Sequence, residues 1–175
     1  MKIRIAKLKD LGQIIEILTY AKNMMIKHKN PKQWTGESYI GEEMLGDEIK
    51  RKEIFILESS QSLLCVFGLR NSNEIYNNSS LKWLNDEPFL EISRFACAPQ
   101  ETHEEISNMN IVKFVLSFCE RKTKNLRADT GVANKEVQYM LTKNGFKFVG
   151  ELKNPFKEYG DHGDFYFYHK VLRKG

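Results

Sequence analysis

Long apolar runs are missing from this sequence. The longest, residues 63–69, is far too short to cross a bilayer. Residues Lys2 and Arg4 lead into a short alternation and not an apolar segment, so no secretory leader is expected at the start. Cysteine is scarce as well: Cys65, Cys97 and Cys119 make three, an odd number, and no Cys-x-x-Cys spacing occurs. That excludes a disulfide framework and a zinc knuckle as organising devices. Each cysteine lies in an apolar run, where a free thiol behaves as a small buried hydrophobe. A reducing, cytoplasmic setting is expected. Blocks of like charge are also absent. Lys and Arg number 27 against 23 Asp and Glu, a net +4 scattered along the chain, which points to neither nucleic acid nor a membrane surface as partner. Internal repeats, linkers, a Ser-His-Asp order and a paired-carboxylate motif are all lacking. With 175 residues, 41% of them hydrophobic, residues 1–175 read as one domain with a two-layer core.

The patterning gives the element order. Residues 2–8 alternate as a half-buried strand. Asp10 stands where an N-cap belongs, ahead of Leu11, Ile14, Ile15, Leu18 and Met25 at helical spacing. Ile40, Met44, Leu45 and Ile49 mark a second helix. Strands are expected over 53–58, 63–69 and 89–98, with 71–80 a polar surface excursion between the last two. Ile111, Phe114, Val115 and Phe118 repeat at helical spacing, and a short strand over 126–129 follows. Residues 134–144 form a further helix, closed by Gly145 in a left-handed cap. Strands over 146–151 and 165–172 complete the chain. Helices interleaved with strands, some of them joined by short links, predict an α/β fold with a mixed, mostly antiparallel, twisted sheet of six or seven strands and about four helices.

Residues 126–130 (Leu-Arg-Ala-Asp-Thr), then Asn134, then Gly145-Phe146 opening the next strand, resemble the C-terminal half of the GNAT N-acetyltransferases. The part of that family with Asp-Thr ending the strand is the most similar. Gln33-Trp34, followed by an acidic amphipathic helix and a strand pair, is similar to the same part of the family. The likeness runs along nearly the whole chain in order and is specific over residues 91–150. It implies a GNAT-like fold and transfer of an acetyl or other acyl group from coenzyme A to a primary amine on a small molecule or peptide. It involves no metal and leaves room for a homodimer. In that pattern the strand ending Phe95-Ala96-Cys97 lends its backbone to the thioester arm, and the tip of the next helix receives the pyrophosphate. The tip corresponds to Ser107, Asn108, Met109, Asn110, Ile111 and Val112. Where the family has an Arg or Gln and then glycines, this chain has Ser107, Asn110 and Val112, so the pyrophosphate loop is degenerate. The physical basis is independent of the family: a helix N-terminus offers unpaired N–H groups and positive potential, and parted strands expose backbone donors.

Glu91-Ile-Ser93-Arg94 also resembles the Glu-x-Ser-Arg strand of the acyl-homoserine-lactone synthases, which draw on acyl carrier protein thioesters. Two alternatives therefore stand beside the lead reading: a carrier-protein thioester as donor, or a non-catalytic GNAT-like binding domain. Glu91 lies in an apolar strand, where an ionised carboxylate needs a partner or a function. The resemblance makes it the candidate general base, and Arg94 is its obvious structural partner, although alternation would put the two on opposite faces unless a bulge intervenes. Asn134 reads as a helix cap or a cofactor contact. The position of the family's usual tyrosine acid is occupied by Leu141, with Tyr139 on another face of the helix. Trp34 and Tyr39 are candidate acceptor-site walls. His103 reads as a surface residue, and Gly160-Asp161-His162-Gly163-Asp164 as a hairpin turn and not a calcium loop.

Overall fold

The computed structural model describes residues 1–34, 40–103 and 106–173. Among these residues seven strands form one sheet in the order β1-β2-β3-β4-β5-β7-β6. They are β1 (Lys2–Ile5), β2 (Ile54–Glu58), β3 (Leu63–Arg70), β4 (Leu90–Cys97), β5 (Asn125–Gly131), β6 (Lys147–Leu152) and β7 (Phe165–Val171). Among the described residues four α-helices accompany them: α1 (Leu11–Lys27), α2 (Glu42–Lys50), α3 (Asn108–Glu120) and α4 (Lys135–Lys143). Every neighbouring pair of strands is antiparallel except β4 and β5.

Period-two burial sorts the strands onto two helical layers. Phe67, Leu69, Ile92, Leu126 and Ala128 face Ile111, Val115 and Leu116 of α3 and Leu141 of α4. On the opposite face Ile54, Ile56, Val66 and Ala96 meet Ile14, Ile17 and Leu18 of α1 and Leu45 and Ile49 of α2. Helix ends follow local chemistry. Ser107 and Asn134 cap α3 and α4 through side-chain oxygens that accept from Asn110 N–H and Val137 N–H. Gly145, at φ 87°, lets Phe146 N–H turn back to Leu141 C=O after α4. Asp10 behaves differently from expectation. Its carboxylate accepts from Lys7 N–H at 2.7 Å and from Arg4, and it makes no hydrogen bond into α1. The charged guanidinium of Arg4 outcompetes the helix tip as a donor.

Residues 71–80 are mostly exposed, as expected of a surface excursion, but they turn one aromatic side chain inward. The 3₁₀ turn Glu74–Asn77 buries Tyr76, and with Leu81 it forms a third core against Val149, Phe156, Phe165 and Phe167. The chain onward to Phe89 is pinned to the sheet by polar contacts. The Arg127 guanidinium lies 4.1 Å from the centroids of both the Trp83 and Phe89 rings and donates to Asn85 C=O. Leu84 N–H donates to His169 Nδ1 at 3.0 Å, which leaves the ring proton on Nε2, facing Asn125 Oδ1 at 3.1 Å. The loop around residues 160–164 is likewise more than a hairpin turn, with His162 buried against Tyr159 C=O and Asp161 paired with Lys32.

Burial, with the Arg127 charge adding to it, pulls the His169 imidazole down to about 4 from 6.5. A depressed value means the folded state holds the neutral ring, so this stabilisation is complete above pH 6.5 and lost as pH falls toward 4. Urea titrations over that range should show a decline of about 3 kcal/mol attributable to His169. The slope should be missing from His169→Gln.

Candidate active site

Three register pairs hold β4 beside β5: Leu90 with Leu126, Glu91 with Arg127, and Ile92 with Ala128. Beyond Ile92 the strands part. The divergence coincides with a bulge on the other edge of β4, where the β3 register shifts between Val66 and Gly68 and Arg94 adopts φ 49°. The extra residue resets alternation, so that Ile92 and Phe95 both pack toward α3 while Ala96 packs toward α1. A cavity of about 560 Å³ opens at the parting. Glu91 to Cys97 of β4 and Ala128 to Thr130 of β5 form its centre. Asn108, Val112 and Leu116 of α3, Asn134 to Val137 at the start of α4, and Tyr20, Met24, Met25, Gln33 and Trp34 complete its walls. A smaller pocket of about 130 Å³ adjoins it, sharing Arg70, Ser93, Arg94 and Phe156.

The bulge that would allow a Glu91–Arg94 pair is present, and the pair is not made. Arg94 reaches Glu48 of α2 through Nε at 2.8 Å and Nη2 at 3.0 Å. Glu91 is 1% exposed and accepts from Arg70 Nε at 2.8 Å, Arg70 Nη2 at 3.1 Å and Asn73 Nδ2 at 3.0 Å. A buried ion pair holds its geometry when both charges are met by such bidentate contacts.

Asp129 was visible in the sequence only as part of a strand-end pattern. In the structure it lines the cavity at the first β5 position beyond the β4 pairing. Tyr76 O–H donates to its Oδ2 at 2.7 Å. One arginine, Arg70, stands near two carboxylates and is engaged by Glu91. Burial therefore pushes the Asp129 carboxyl up to about 7 from 3.8, with the Glu91 charge adding to the rise and the Tyr76 hydrogen bond and Arg70 opposing it. Burial, the Asp129 and Glu91 charges and the bond to Asp129 raise the Tyr76 phenol well above its ordinary value, so it stays a donor. The unusual placement of an Asp in an apolar strand was the signal available for Asp129; nothing in the polar run around Tyr76 announced its partner.

Phe95, Ala96, Cys97, Asn108, Val112, Asn134 and Trp34 all line the cavity. Ser107, Met109 and Asn110 are exposed at the tip of α3 and do not line it. The Ile111 side chain is fully buried in the core, and its N–H is bound to Ser107 C=O. Two other N–H groups of the tip are met internally, Asn108 by Gln100 Oε1 at 3.2 Å and Asn110 by Ser107 Oγ at 3.3 Å. His103 is buried, not on the surface, with Nε2 3.1 Å from Ala98 C=O. Tyr39 falls outside the described residues. Trp34 is buried with φ 60°. The Asn134 amide is engaged at both ends, Oδ1 on Val137 N–H and Nδ2 on Gln33 Oε1 at 3.2 Å. Gln33 Oε1 also accepts from Asn30 and from Gly131 N–H, and a Cβ at position 131 would lie 2.9 Å from it. Tyr139 points to solvent, and Leu141 is in the core. Cys65 sits opposite Cys97 across β3 and β4, and its thiol hydrogen bond lowers the Cys97 pKa against burial. Among the described residues no group of three or more His, Cys, Asp or Glu is arranged to hold a metal ion, and no helix is long and apolar enough to cross a membrane.

No protein-family model matches the sequence, and no curated protein sequence matches it. Solved structures do resemble it in three dimensions. A GNAT-family acetyltransferase from Streptococcus agalactiae superposes with a TM-score of 0.82 at 22% identity, covering 99% of this chain and 96% of that one. A ribosomal-protein-alanine N-acetyltransferase from Brucella melitensis gives 0.64 at 18% identity over 98% and 100% of the two chains. A mutant spermidine N-acetyltransferase from Vibrio cholerae gives 0.59 at 19% identity over 98% and 95%. The chain has the GNAT fold.

Because the folded state favours protonated Asp129, the associated stability is complete below pH 3.8 and is lost as pH rises through 7. Asp129→Asn should therefore raise the unfolding free energy near pH 8 by on the order of a few kcal/mol, and by clearly less near pH 5. Chemical denaturation at the two pH values checks this.

Proposed function

We propose that this protein transfers an acyl group, acetyl in the first instance, from a coenzyme A thioester to a primary amine. The observation that carries this reading is the parting of β4 and β5 directly over a cavity that reaches from the tip of α3 to Trp34. A strand edge that has left its neighbour presents backbone groups at fixed positions, and buried, preoriented N–H donors stabilise an oxyanion more effectively than water does. The backbone of Phe95, Ala96 and Cys97 would hold the pantetheine arm and the thioester carbonyl, with Asn108 and Val112 marking the nucleotide end. The amine would enter beside Trp34, and the adjoining pocket around Arg70 and Arg94 would receive the remainder of the acceptor. Catalysis would rest mainly on placing the amine against the carbonyl. Removal of the ammonium proton would fall to a carboxylate at the parting, for which the family resemblance offers Glu91.

A second reading is favoured by the tip of α3. Gln100 and Ser107 already accept from two of its N–H groups, which leaves fewer backbone donors for a pyrophosphate. A carrier-protein thioester, which presents the same arm without the nucleotide, makes a smaller demand on that tip.

Thermal unfolding with acetyl-CoA, with coenzyme A and with an acyl-loaded carrier protein separates these readings. A ligand that binds only the folded state at 100 times its dissociation constant stabilises by about 2.7 kcal/mol. A raised midpoint with acetyl-CoA is expected. A rise with the loaded carrier alone would establish the second reading, and no rise with acetyl-CoA, longer acyl-CoAs or the carrier would sink the transferase reading. With turnover in hand, Glu91→Gln tests the sequence-based choice of base: an unchanged rate would remove Glu91 from proton transfer.

A further inference from the structure

Acyl transfer to an amine needs a group that can take a proton near neutral pH, and this inference rests on the acyl-transfer reading above. Glu91 is poorly placed to be that group, because its two oxygens accept three hydrogen bonds from Arg70 and Asn73 and it is 1% exposed. Protonating it would give up the charge attraction of its bidentate pair with Arg70. Asp129 has the opposite surroundings. Its Oδ2 is held by Tyr76, its Oδ1 accepts no hydrogen bond from the described residues, and it lines the cavity at the first position where β5 has left β4.

We propose that Asp129 is the general base of this site, taking the proton from the attacking amine while Tyr76 and the Arg70–Glu91 pair position it. The charged and titratable groups that face it are Glu91 from β4, Arg70 from β3 and Tyr76 from the 3₁₀ turn; β7 contributes Phe167, which opposes it in register and is apolar. Two acidic side chains at one place cannot both keep full charge when a single arginine serves them. Glu91 holds that arginine, and so Asp129 is the one left able to exchange a proton. A base is most effective when it titrates near the working pH, and the half-buried carboxyl at about 7 meets that condition.

The proton balance is simple. An ammonium gives one proton to the Asp129 carboxylate, and the neutral amine attacks the thioester carbonyl. The C–N bond forms as the carbonyl π pair moves to oxygen. Collapse of this intermediate breaks the C–S bond, with the electron pair leaving on sulfur. The nitrogen gives its second proton to that thiolate, and Asp129 releases the first to solvent. One amide, one thiol and one free proton result.

The test begins with protein labelled at the aspartate carboxyl carbons. One NMR resonance should titrate near neutral pH, vanish in Asp129→Asn and move to higher pH in Tyr76→Phe, where the bond favouring the carboxylate is gone. Thiol release from acetyl-CoA is then followed with a panel of primary amines. For alkylamines kcat should fall about 100-fold in Asp129→Asn. The kcat/KM profile should lose its rise across the same pH range, and an amine already neutral at assay pH should lose less. The rise in melting midpoint with acetyl-CoA should survive the substitution. Wild-type kcat and pH profile in Asp129→Asn, or an Asp129 resonance that titrates with the other aspartates near pH 4, would overturn the base assignment alone. A wild-type protein whose midpoint does not respond to acetyl-CoA would overturn the acyl-transfer reading and this role with it, even though the NMR titration behaved as described.

Discussion

Backbone N–H and C=O groups that leave a hydrogen-bonded ladder must be met by something else, and the parting of β4 from β5 after Ile92 sets that requirement in the middle of the sheet. Much of the surrounding structure answers it. Gln33 reaches across to Gly131 N–H at the open end of β5 and ties the same oxygen to Asn134, the cap of α4. The bulge at Arg94 resets the side chains of β4 so that its later residues still serve both cores. Beyond Ile92 the β4 edge lines the cavity.

Charge is arranged around the same opening. Arg94 and Glu48 neutralise one another beneath α2, and Arg70 and Glu91 do so at the β3–β4 edge. Each pair is bidentate, which fixes direction as well as charge. Asp129 is left with a phenol in place of a cation, and burial raises its carboxyl to about 7. The long excursion between β3 and β4 supplies that phenol. Its burial of Tyr76 is therefore part of the site's electrostatics as well as of the third core.

The tip of α3 follows a different solution from a glycine-rich one. Gln100 organises the loop before it, donating to the carbonyls of His103 and Ile106 while accepting from Asn108 N–H. Buried His103 adds a bond to Ala98 C=O. The chain is thereby held by side-chain amides where glycines would let a phosphate approach the backbone closely. The same loop that stabilises the approach to α3 restricts how many N–H groups its tip can offer.

Period-two and helical spacing were enough to place all seven strands and four helices within a few residues, because burial on one face writes itself into the sequence at a fixed repeat. The capping Asn134 and the Gly145 turn were legible because each is a local solution to a local problem, whereas the strand-end Asp-Thr was marked only by the family resemblance. Partner choice was not local. That Glu91 takes Arg70 and not Arg94, that Tyr76 folds inward onto Asp129, and that Gln33 spans to Gly131 depend on residues 21, 53 and 98 positions apart in the chain. Only the tertiary structure decides such pairings, since a buried charge is satisfied by whichever partner the packed backbone brings within reach, and sequence spacing carries no record of that distance.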